Sequence, residues 1–310
     1  KTMSENKVLL TTPIYYVNDV PHIGHAYTSI AVDFLARFSR MEGKATHFLT
    51  GTDEHGLKIQ KAAEKLSISP KELCDKNSEI FRSLTSSLNL TNDDFIRTTE
   101  KRHKDGASFL WQILFDKGDI YLDEYTGWYS INDETFYNEK DLIKEQDGSY
   151  KTLTGGPVEW LKEESYFFKL SKYENILLRY YNENPNFILP VSKKNEVISF
   201  VKNGLKDLSV SRSSFDWGIQ VPGDEKHIMY VWLDALTSYT NSVNYLSSDK
   251  NELSSFWSNA IHIVGKDILR HHAVYWPAFL IAAELELPKR IFAHGWWTNE
   301  GSKISKSLGN

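Results

Sequence analysis

The sequence predicts an α/β fold in which a doubly wound parallel sheet is interrupted by an inserted unit of mixed α/β structure. Four short apolar runs, each followed by a helical pattern, are typical of buried parallel strands. They lie at residues 8–12, 46–50, 261–264 and 291–293. The length of 310 residues is near the practical limit of a single core, so one large domain with an insertion, or two domains, is expected.

The segments that follow these strands predict helices. Residues 26–40 place Ile30, Ala31, Phe34, Leu35 and Phe38 on one apolar face, of the kind that covers a core. Further helices are predicted at residues 57–66, 70–88 and 267–284.

The middle of the chain has a different pattern. Residues 118–222 are rich in glycine and contain alternating segments such as 128–137, which predict short antiparallel strands and turns. Two amphipathic segments, 171–184 and 191–205, lie in the same stretch. We therefore expect the two halves of the sheet domain at 1–117 and 223–310, with the insertion at 118–222 between them.

Composition excludes several classes of protein. The longest nearly apolar stretch, 273–283, is too short for a membrane span, and the first residues lack the pattern of a signal peptide. The single cysteine, Cys74, excludes an internal disulfide and a cysteine-rich zinc site, and it fits a reducing compartment, so we expect a cytoplasmic location. A net charge of −5 predicts neither a membrane nor a DNA partner, and any nucleic-acid contact must be local.

Candidate site residues follow the predicted strands, because ligands of open α/β sheets bind outside the carboxyl ends of strands. His22, Gly24 and His25 precede the first helix. A helix N-terminus offers free N–H groups to phosphate, the glycine permits close approach, and the imidazoles add donors. Residues alone also allow a pair of helix-capping histidines. The other strand ends carry residues 51–56, 265–267 and 294–297, followed by 303–307.

Two of these motifs resemble the signatures of class I aminoacyl-tRNA synthetases. His22-Ile23-Gly24-His25 is similar to the first signature, and Lys303-Ile304-Ser305-Lys306-Ser307 to the second. The strings at 12–16, 51–56, 231–235 and 265–268 resemble the methionyl-tRNA synthetase family in particular, and the resemblance covers essentially the whole chain. It implies a Rossmann catalytic domain interrupted by a connective-peptide domain.

The chain departs from the family pattern at three points. Ile304 stands where the motif usually has methionine, which keeps both lysines. Residues 129–132 occupy the region where zinc-binding relatives have cysteines, so the resemblance implies a knuckle without structural zinc. The chain ends at Asn310, before the helical anticodon-binding domain of the family, so we expect a catalytic fragment.

The resemblance also implies a reaction, the attack of a carboxylate on the α-phosphorus of ATP. Because the nucleophile is already ionised, catalysis reduces to positioning and charge stabilisation. His22, Gly24 and His25 would hold the phosphates of ATP, which carry Mg²⁺, and Lys303 and Lys306 would neutralise the leaving pyrophosphate. The catalytic residues implied are His22, His25, Lys303 and Lys306, and the ATP site also includes Lys266 and Asp267. The implied final acceptor is tRNA(Met).

The implied amino-acid substrate is methionine, whose thioether suits an apolar slot with polarizable walls. By the resemblance, Asp53 pairs with the ammonium group, although the residue could instead cap the next helix. The slot would be lined by Pro13, Ile14, Tyr16, Trp232, Ala235, Leu236, Tyr239, Ile268 and His272. The spacing of the four residues from 232 to 239 puts them on one helical face, which the pattern alone favours as core.

Other functions remain open from the sequence. Isoleucyl, leucyl and valyl enzymes need an editing domain larger than the insertion, and a cysteinyl enzyme needs zinc thiolates. A nucleotidylyltransferase shares the His-x-Gly-His motif, and a catalytically silent paralogue would act as an RNA-binding module. The basic clusters at 101–104 and 193–194 are expected on solvated faces. Cys74 is expected to be a small buried side chain without a catalytic role.

Overall fold

A computed structural model describes residues 6–18, 20–130, 135–299 and 301–304, with backbone alone at Tyr125, Thr135, Val231, Asn299, Ser302 and Lys303. The strands are β1 (Lys7–Thr11), β2 (Tyr15–Tyr16), β3 (Ala45–Asp53), β4 (Asp94–Arg97), β5 (Ile120–Ser130), β6 (Thr135–Tyr137), β7 (Ile143–Lys144), β8 (Tyr150–Lys151), β9 (Val158–Phe168), β10 (Ile188–Leu189), β11 (Leu208–Ser209), β12 (Ser211–Arg212), β13 (Gln220–Val221), β14 (Asp224–Met229), β15 (Ala260–Gly265), β16 (Arg290–His294), β17 (Thr298–Asn299) and β18 (Ser302–Lys303). The α-helices are α1 (Ile23–Met41), α2 (Leu57–Leu66), α3 (Pro70–Ser87), α4 (Lys101–Asp116), α5 (Glu174–Glu183), α6 (Val191–Lys202), α7 (Val231–Asn241) and α8 (Trp276–Ala282).

The main sheet is parallel and has the order β10-β16-β15-β1-β3-β2, with β4 also paired to β3. The four predicted strands are all in it: β1 pairs with both β3 and β15, and β15 pairs with β16. The α/β fold class is thereby confirmed. Because β1 has a strand of each half as its neighbour, strand order reverses there, and a ligand crevice is expected at the carboxyl end of β1.

The two faces of the sheet pack against different layers. Val8 and Leu10 of β1 point to one face, where they join Val32 and Ala36 of α1 in a small cluster. Leu9 points to the other face and belongs to the largest cluster, which includes residues from α4 to α8. This alternation is the period of two that a buried strand requires.

The prediction that the apolar face of α1 covers the core is wrong. Ile30, Phe34 and Phe38 are 50%, 68% and 50% exposed, and the helix buries smaller and polar side chains instead. The polar ones can be buried because their hydrogen bonds are made: Ser29 bonds to the Tyr15 hydroxyl, and Asp33 accepts from the backbone and side chain of Thr91. An apolar stripe is therefore left on the outer side of α1.

The helix predicted at 267–284 is continuous from residue 266 to residue 282, but its hydrogen-bonding pattern changes along its length. A 3₁₀ turn (Lys266–Ile268) is followed by a π-helical turn (His271–Tyr275) and then by α8. Pro277, in the first turn of α8, has no N–H to donate to the carbonyl of Ala273. That carbonyl instead accepts the hydroxyl of Tyr181 from α5. The proline thus removes one α-helical hydrogen bond at this point, and the Tyr181 hydroxyl replaces it.

The middle stretch forms an antiparallel sheet of order β11-β9-β5-β6, with β5 and β9 paired along their whole length. The predicted pairing around 128–137 is confirmed, since Trp128 lies opposite Tyr137. Helices α5 and α6 match the two predicted amphipathic segments. Strand β10, however, joins β16 in the parallel sheet, so this stretch also supplies an edge strand there. The domain boundaries at 117 and 222 stay a prediction.

Candidate active site

A cavity of about 850 Å³ opens at the carboxyl ends of β1, β15 and β16. Eight of the predicted site residues line it: Pro13, Ile14, Tyr16, His22, Gly24, His25, Asp267 and Ile268. Four more lining residues, His294, Trp296, Trp297 and Ile304, were not among the predicted site residues. Their signal in the sequence was their place after the fourth strand.

The two histidines of the first motif form a reciprocal cap at the start of α1. The backbone N–H of Gly24 donates to His22 Nδ1, and the N–H of His22 donates to His25 Nδ1, both at 3.0 Å. Because each Nδ1 accepts, each neutral ring carries its hydrogen on Nε2. Burial and the neighbouring His22 lower the pKa of His25 to about 3, so its ring is neutral at physiological pH. The capping interpretation is correct, and it also fixes two N–H donors at a helix N-terminus.

The opposite rim of the cavity is aromatic. His294 Nδ1 donates to the carbonyl of Gly295, so its Nε2 accepts from the hydroxyl of Thr28 at 2.9 Å. The ammonium of Lys266 lies 4.0 Å from the centre of the Trp296 ring, and the indole N–H of Trp296 donates to Asp267. Lys266 and Asp267 are thus held together through one indole, which joins the rim to β15.

A second group of predicted residues lies behind the cavity. His272 Nδ1 donates to the carbonyl of Ile268 at 2.9 Å, and its Nε2 accepts the hydroxyl of Tyr239 at 2.7 Å. Burial lowers the pKa of His272 to about 4, which keeps the ring neutral. Trp232 stacks on His271 with ring centres 3.5 Å apart. Ala235 and Leu236 are buried on the same helix, α7.

Asp53, at the end of β3, is buried, and it does not cap α2, whose N-cap is Gly56 with φ 116°. The next residue, Glu54, accepts both Nε and Nη2 of Arg97 at 2.7 Å. The carbonyl of Glu54 also accepts the indole N–H of Trp217 at 2.6 Å. These bonds hold the 53–56 loop from β4 on one side and from the middle stretch on the other.

The structure agrees with the prediction for Cys74 and corrects that for the basic cluster at 101–104. Cys74 is buried and donates to the carbonyl of Glu54, and burial raises the pKa of its thiol, which agrees with an unreactive residue. The cluster at 101–104 is not wholly solvated, because His103 is completely buried. Helix position explains the difference: His103 faces the core, while Lys101 and Arg102 pair with acidic groups at the surface.

The second motif lies largely beyond the described residues. Lys306 and residues 305–307 are outside them, and Lys303 is described by its backbone, opposite Thr298 in the β17–β18 pair. The backbone N–H of Ile304 donates to the carbonyl of Trp297 at 3.1 Å, and Ile304 lines the cavity. The described part of the motif therefore adjoins the cavity.

The match to a known family decides the assignment of the chain. The family model described as tRNA synthetases class I (M) matches residues 8–310. The chain belongs to this family. Methionine–tRNA ligase of Rickettsia conorii is 59% identical over 305 residues, which is 98% of this chain and 59% of that protein. The corresponding protein of Mesorhizobium japonicum is 55% identical over 308 residues. The chain spans about 59% of the length of these relatives.

Solved structures of Mycobacterium tuberculosis methionyl-tRNA synthetase are also similar to this chain. The complex with methionyl-adenylate has a TM-score of 0.94 at 49% identity and covers 98% of this chain and 60% of that one. The free-state structure has a TM-score of 0.81 at 47% identity and covers 94% of this chain and 56% of that one. The present structure is thus more similar to the complex than to the free state.

Across the described ranges, no three His, Cys, Asp or Glu side chains are grouped to hold a metal ion. No helix in the same ranges has both the length and the apolar character needed to cross a bilayer. Residues 131–134 of the knuckle lie outside the described ranges. The lack of structural zinc therefore stays a prediction, which elemental analysis tests.

Proposed function

We propose that this chain activates methionine with ATP to methionyl-adenylate and pyrophosphate, and that the methionine is then transferred to the 3′ end of tRNA(Met). One observation carries the proposal: the N-terminus of α1 and the 265–268 turn share one cavity, and Ile268 of that turn bonds to His272, which accepts the Tyr239 hydroxyl. Relatives named methionine–tRNA ligase and a similar structure holding methionyl-adenylate support it.

The nucleotide half of the site would bind ATP as its Mg²⁺ complex. The N-terminus of α1 and the Nε2–H groups of His22 and His25 would supply the dipole and the donors for phosphate oxygens. A neutral His25 donates without bringing a charge that must be desolvated. We assign the ribose to the carboxylate of Asp267, with Lys266 beside it, and the leaving pyrophosphate to Lys303 and Lys306.

The amino-acid half would bind methionine. We assign the ammonium group to Asp53 and the side chain to a slot formed by Pro13, Ile14, Tyr16, Trp232, Ala235, Leu236, Tyr239, Ile268 and His272. Aromatic and apolar walls match a thioether, whose sulfur is polarizable and a weak acceptor. The tautomer of His272 is fixed by its bond to Ile268, so the Tyr239 hydroxyl has a defined partner without any ligand.

The reaction needs no general base. The carboxylate oxygen of methionine forms a bond to the α-phosphorus, the bond from that phosphorus to the bridging oxygen of the β-phosphate breaks, and pyrophosphate leaves with the electron pair. The residues contribute by aligning the two substrates and by donating to oxygens on which charge develops. Fixed donors are effective here because they need not reorganise during the reaction.

The proposal includes an organisation and a location. We propose a catalytic domain in two halves, 1–117 and 223–310, with an inserted unit at 118–222. The parallel pairing of β1 with β3 and β15 and the antiparallel pairing of β5 with β9 support this division, whereas β10, from within 118–222, pairs in the parallel sheet. A cytoplasmic location is proposed from the single cysteine alone.

Amino-acid-dependent exchange of labelled pyrophosphate into ATP tests the proposal. The assay is run with each of the twenty amino acids, and methionine should give exchange at least about tenfold above any other. Preference for leucine, isoleucine or cysteine would overturn the specificity. Exchange that needs no amino acid would favour a nucleotidylyltransferase, and the absence of exchange together with RNA binding would favour a silent paralogue.

A further inference from the structure

Helix α7 contacts its surroundings through two opposite faces. One face carries Trp232 and Tyr239, which contact His271 and His272 behind the cavity. The other face carries Asp234 and Asn241, which are seven residues apart and therefore about two turns apart along the helix. Asp234 is completely buried, and neither the sequence prediction nor the reaction gives it a role.

Asp234 joins three elements of the fold. Its Oδ2 lies 2.6 Å from His55 Nδ1, in the loop after β3, and its Oδ1 lies 2.6 Å from His103 Nε2, in α4. Burial opposes ionisation, but the two imidazoles lower the pKa of Asp234 below its ordinary value. An ionised carboxylate has no hydrogen to donate, so both imidazoles direct N–H groups at it.

The α4 end of this network is fixed by close packing. The side-chain amide of Asn241 donates to His103 Nδ1 and to the His103 carbonyl, at 3.2 and 3.0 Å. This leaves the ring hydrogen of a neutral His103 on Nε2, where it faces Asp234. At Gly106 an added Cβ would lie 1.9 Å from Asn241 Oδ1, so a larger residue would push α4 away from α7.

The other end of the network is the 53–56 loop. His55 follows Asp53 by two residues, and the intervening Glu54 is clamped by Arg97. Because Arg97 holds Glu54, the bond from the next residue, His55, to Asp234 sets how the loop lies relative to α7. Asp53 and the aromatic face of α7 belong to different elements, and this bond links those elements directly through side chains.

We propose that Asp234 is a positioning residue for the amino-acid site. Through His55 it sets the place of Asp53 relative to Trp232 and Tyr239, so that ammonium and side-chain recognition act on one ligand. The inference rests on the proposed function, in that the ligand is taken to be methionine. Asp234 acts from behind the wall and contacts neither substrate.

The test measures the Kd of methionine and of ATP separately, by calorimetry, for the 310-residue chain. Asp234→Asn replaces one acceptor oxygen with an amide that faces a donor N–H. The Kd of methionine should rise about 10- to 100-fold, as expected when groups behind a site shift by about 1 Å, while the Kd of ATP changes less than about twofold. A folded variant with unchanged methionine affinity, or with equal losses for both ligands, would overturn the proposal.

Two substitutions of His55 give a matched pair. An asparagine amide nitrogen can occupy the place of Nδ1, so His55→Asn should keep most of the affinity. A glutamine amide reaches the place of Nε2 instead, so His55→Gln should lose methionine affinity as Asp234→Asn does. The double variant His55→Gln/Asp234→Asn should bind methionine no more than about twofold more weakly than Asp234→Asn alone, because both substitutions break the same link between His55 and Asp234. Equal methionine affinities for the two His55 variants, or additive losses of affinity in the double variant, would contradict the proposal.

A control separates positioning from simple destabilisation. Asp119 is also buried and accepts two bonds, from Lys172 and from the Tyr173 hydroxyl, at the start of the middle stretch. Asp119→Asn should lower the melting temperature and leave the Kd of methionine unchanged. If it weakens methionine binding as much as Asp234→Asn does, the effect is general and the proposal is wrong.

Hydrogen exchange without ligand keeps the two proposals distinguishable. Backbone amides of residues 53–56 should exchange faster in Asp234→Asn than in Asp119→Asn or the unsubstituted chain. If the unsubstituted chain does not bind methionine, the proposed function fails and this comparison alone decides the positioning role. If Asp234→Asn does not fold, His55→Gln replaces it in both measurements. Unchanged exchange at 53–56 would overturn the inference.

Discussion

Residues 118–222 and the stretches on either side of them use different side chains to fill their interiors. All ten histidines of the chain lie outside 118–222, whereas nine of its sixteen tyrosines lie inside. In the flanking stretches the imidazoles form hydrogen bonds with Asp234, Tyr239 and Thr28. In the middle stretch the rings mainly pack on one another, as Trp128 does with Tyr150 and Trp160.

This difference suggests two roles: the histidines of the flanking stretches serve ligand binding, and the aromatic rings of the middle stretch serve stability. An imidazole can donate and accept at once, so a fixed tautomer presents a chosen group to a ligand without a net charge. Aromatic rings supply large contact areas to the antiparallel sheet, where Tyr166 and Phe168 of β9 join the largest core cluster. The comparison therefore predicts that changes in the flanking stretches alter ligand binding, and that changes in the middle stretch alter stability alone.

Asp53→Ala should have the largest effect on binding. Loss of the carboxylate leaves the ammonium of methionine without its partner, at a cost of about 3–5 kcal/mol, so calorimetry should detect no methionine binding at millimolar concentrations. The melting temperature should fall by only a few degrees. Retained micromolar affinity would show that the ammonium binds elsewhere.

Acid should destabilise the flanking stretches first. Burial, helped by a neighbouring histidine, lowers the pKa of His25 and of His271 to about 3, and burial lowers that of His272 to about 4. Below the ordinary value of 6.5, the unfolded chain takes up protons that the folded chain does not, so stability falls as the pH falls. The loss should be about 2 kcal/mol for each of these histidines between pH 7 and 5.

Thermal unfolding at pH 7, 6 and 5, with hydrogen exchange at each pH, tests this expectation. Amides in the flanking stretches should lose protection at a higher pH than amides in β5 and β9, because 118–222 contains no histidine. A melting temperature that stays constant from pH 7 to pH 5 would contradict the buried neutral state of these rings.

Glu163→Gln should reduce stability without changing methionine binding. Glu163, in β9, accepts the backbone N–H groups of Ser213 and Ser214 and also both hydroxyls. An amide in its place loses part of these bonds, at a cost of about 1–3 kcal/mol, which chemical denaturation measures. A change of more than about threefold in the Kd of methionine would break the separation between the two regions.

Tyr239→Phe should have the smallest effect. It removes the hydroxyl that donates to His272 and leaves that buried nitrogen without this donor, while the ring still fills the wall. The cost of about 1 kcal/mol should raise the Kd of methionine about fivefold and leave that of ATP unchanged. An equal change for both ligands would place Tyr239 outside the amino-acid site.

The sequence allowed prediction of the parallel strands and the strand-end motifs, because both depend on local pattern. It did not predict which face of α1 is buried, since periodicity locates an apolar stripe but not what covers it. The π-helical turn before Pro277 is accompanied by a bond from the Tyr181 hydroxyl, which no local pattern reveals. The same holds for Asp234, which is 179 residues from His55 in sequence and bonds to it directly.

Hydrogen exchange of the chain with and without saturating methionine tests the central claim most directly. Protection should appear at residues 11–16, 51–56, 231–239 and 265–272, while amides of β5 and β9 remain unchanged. Leucine at the same concentration should give much weaker protection. Protection concentrated within 118–222, or equal protection by leucine, would contradict the account.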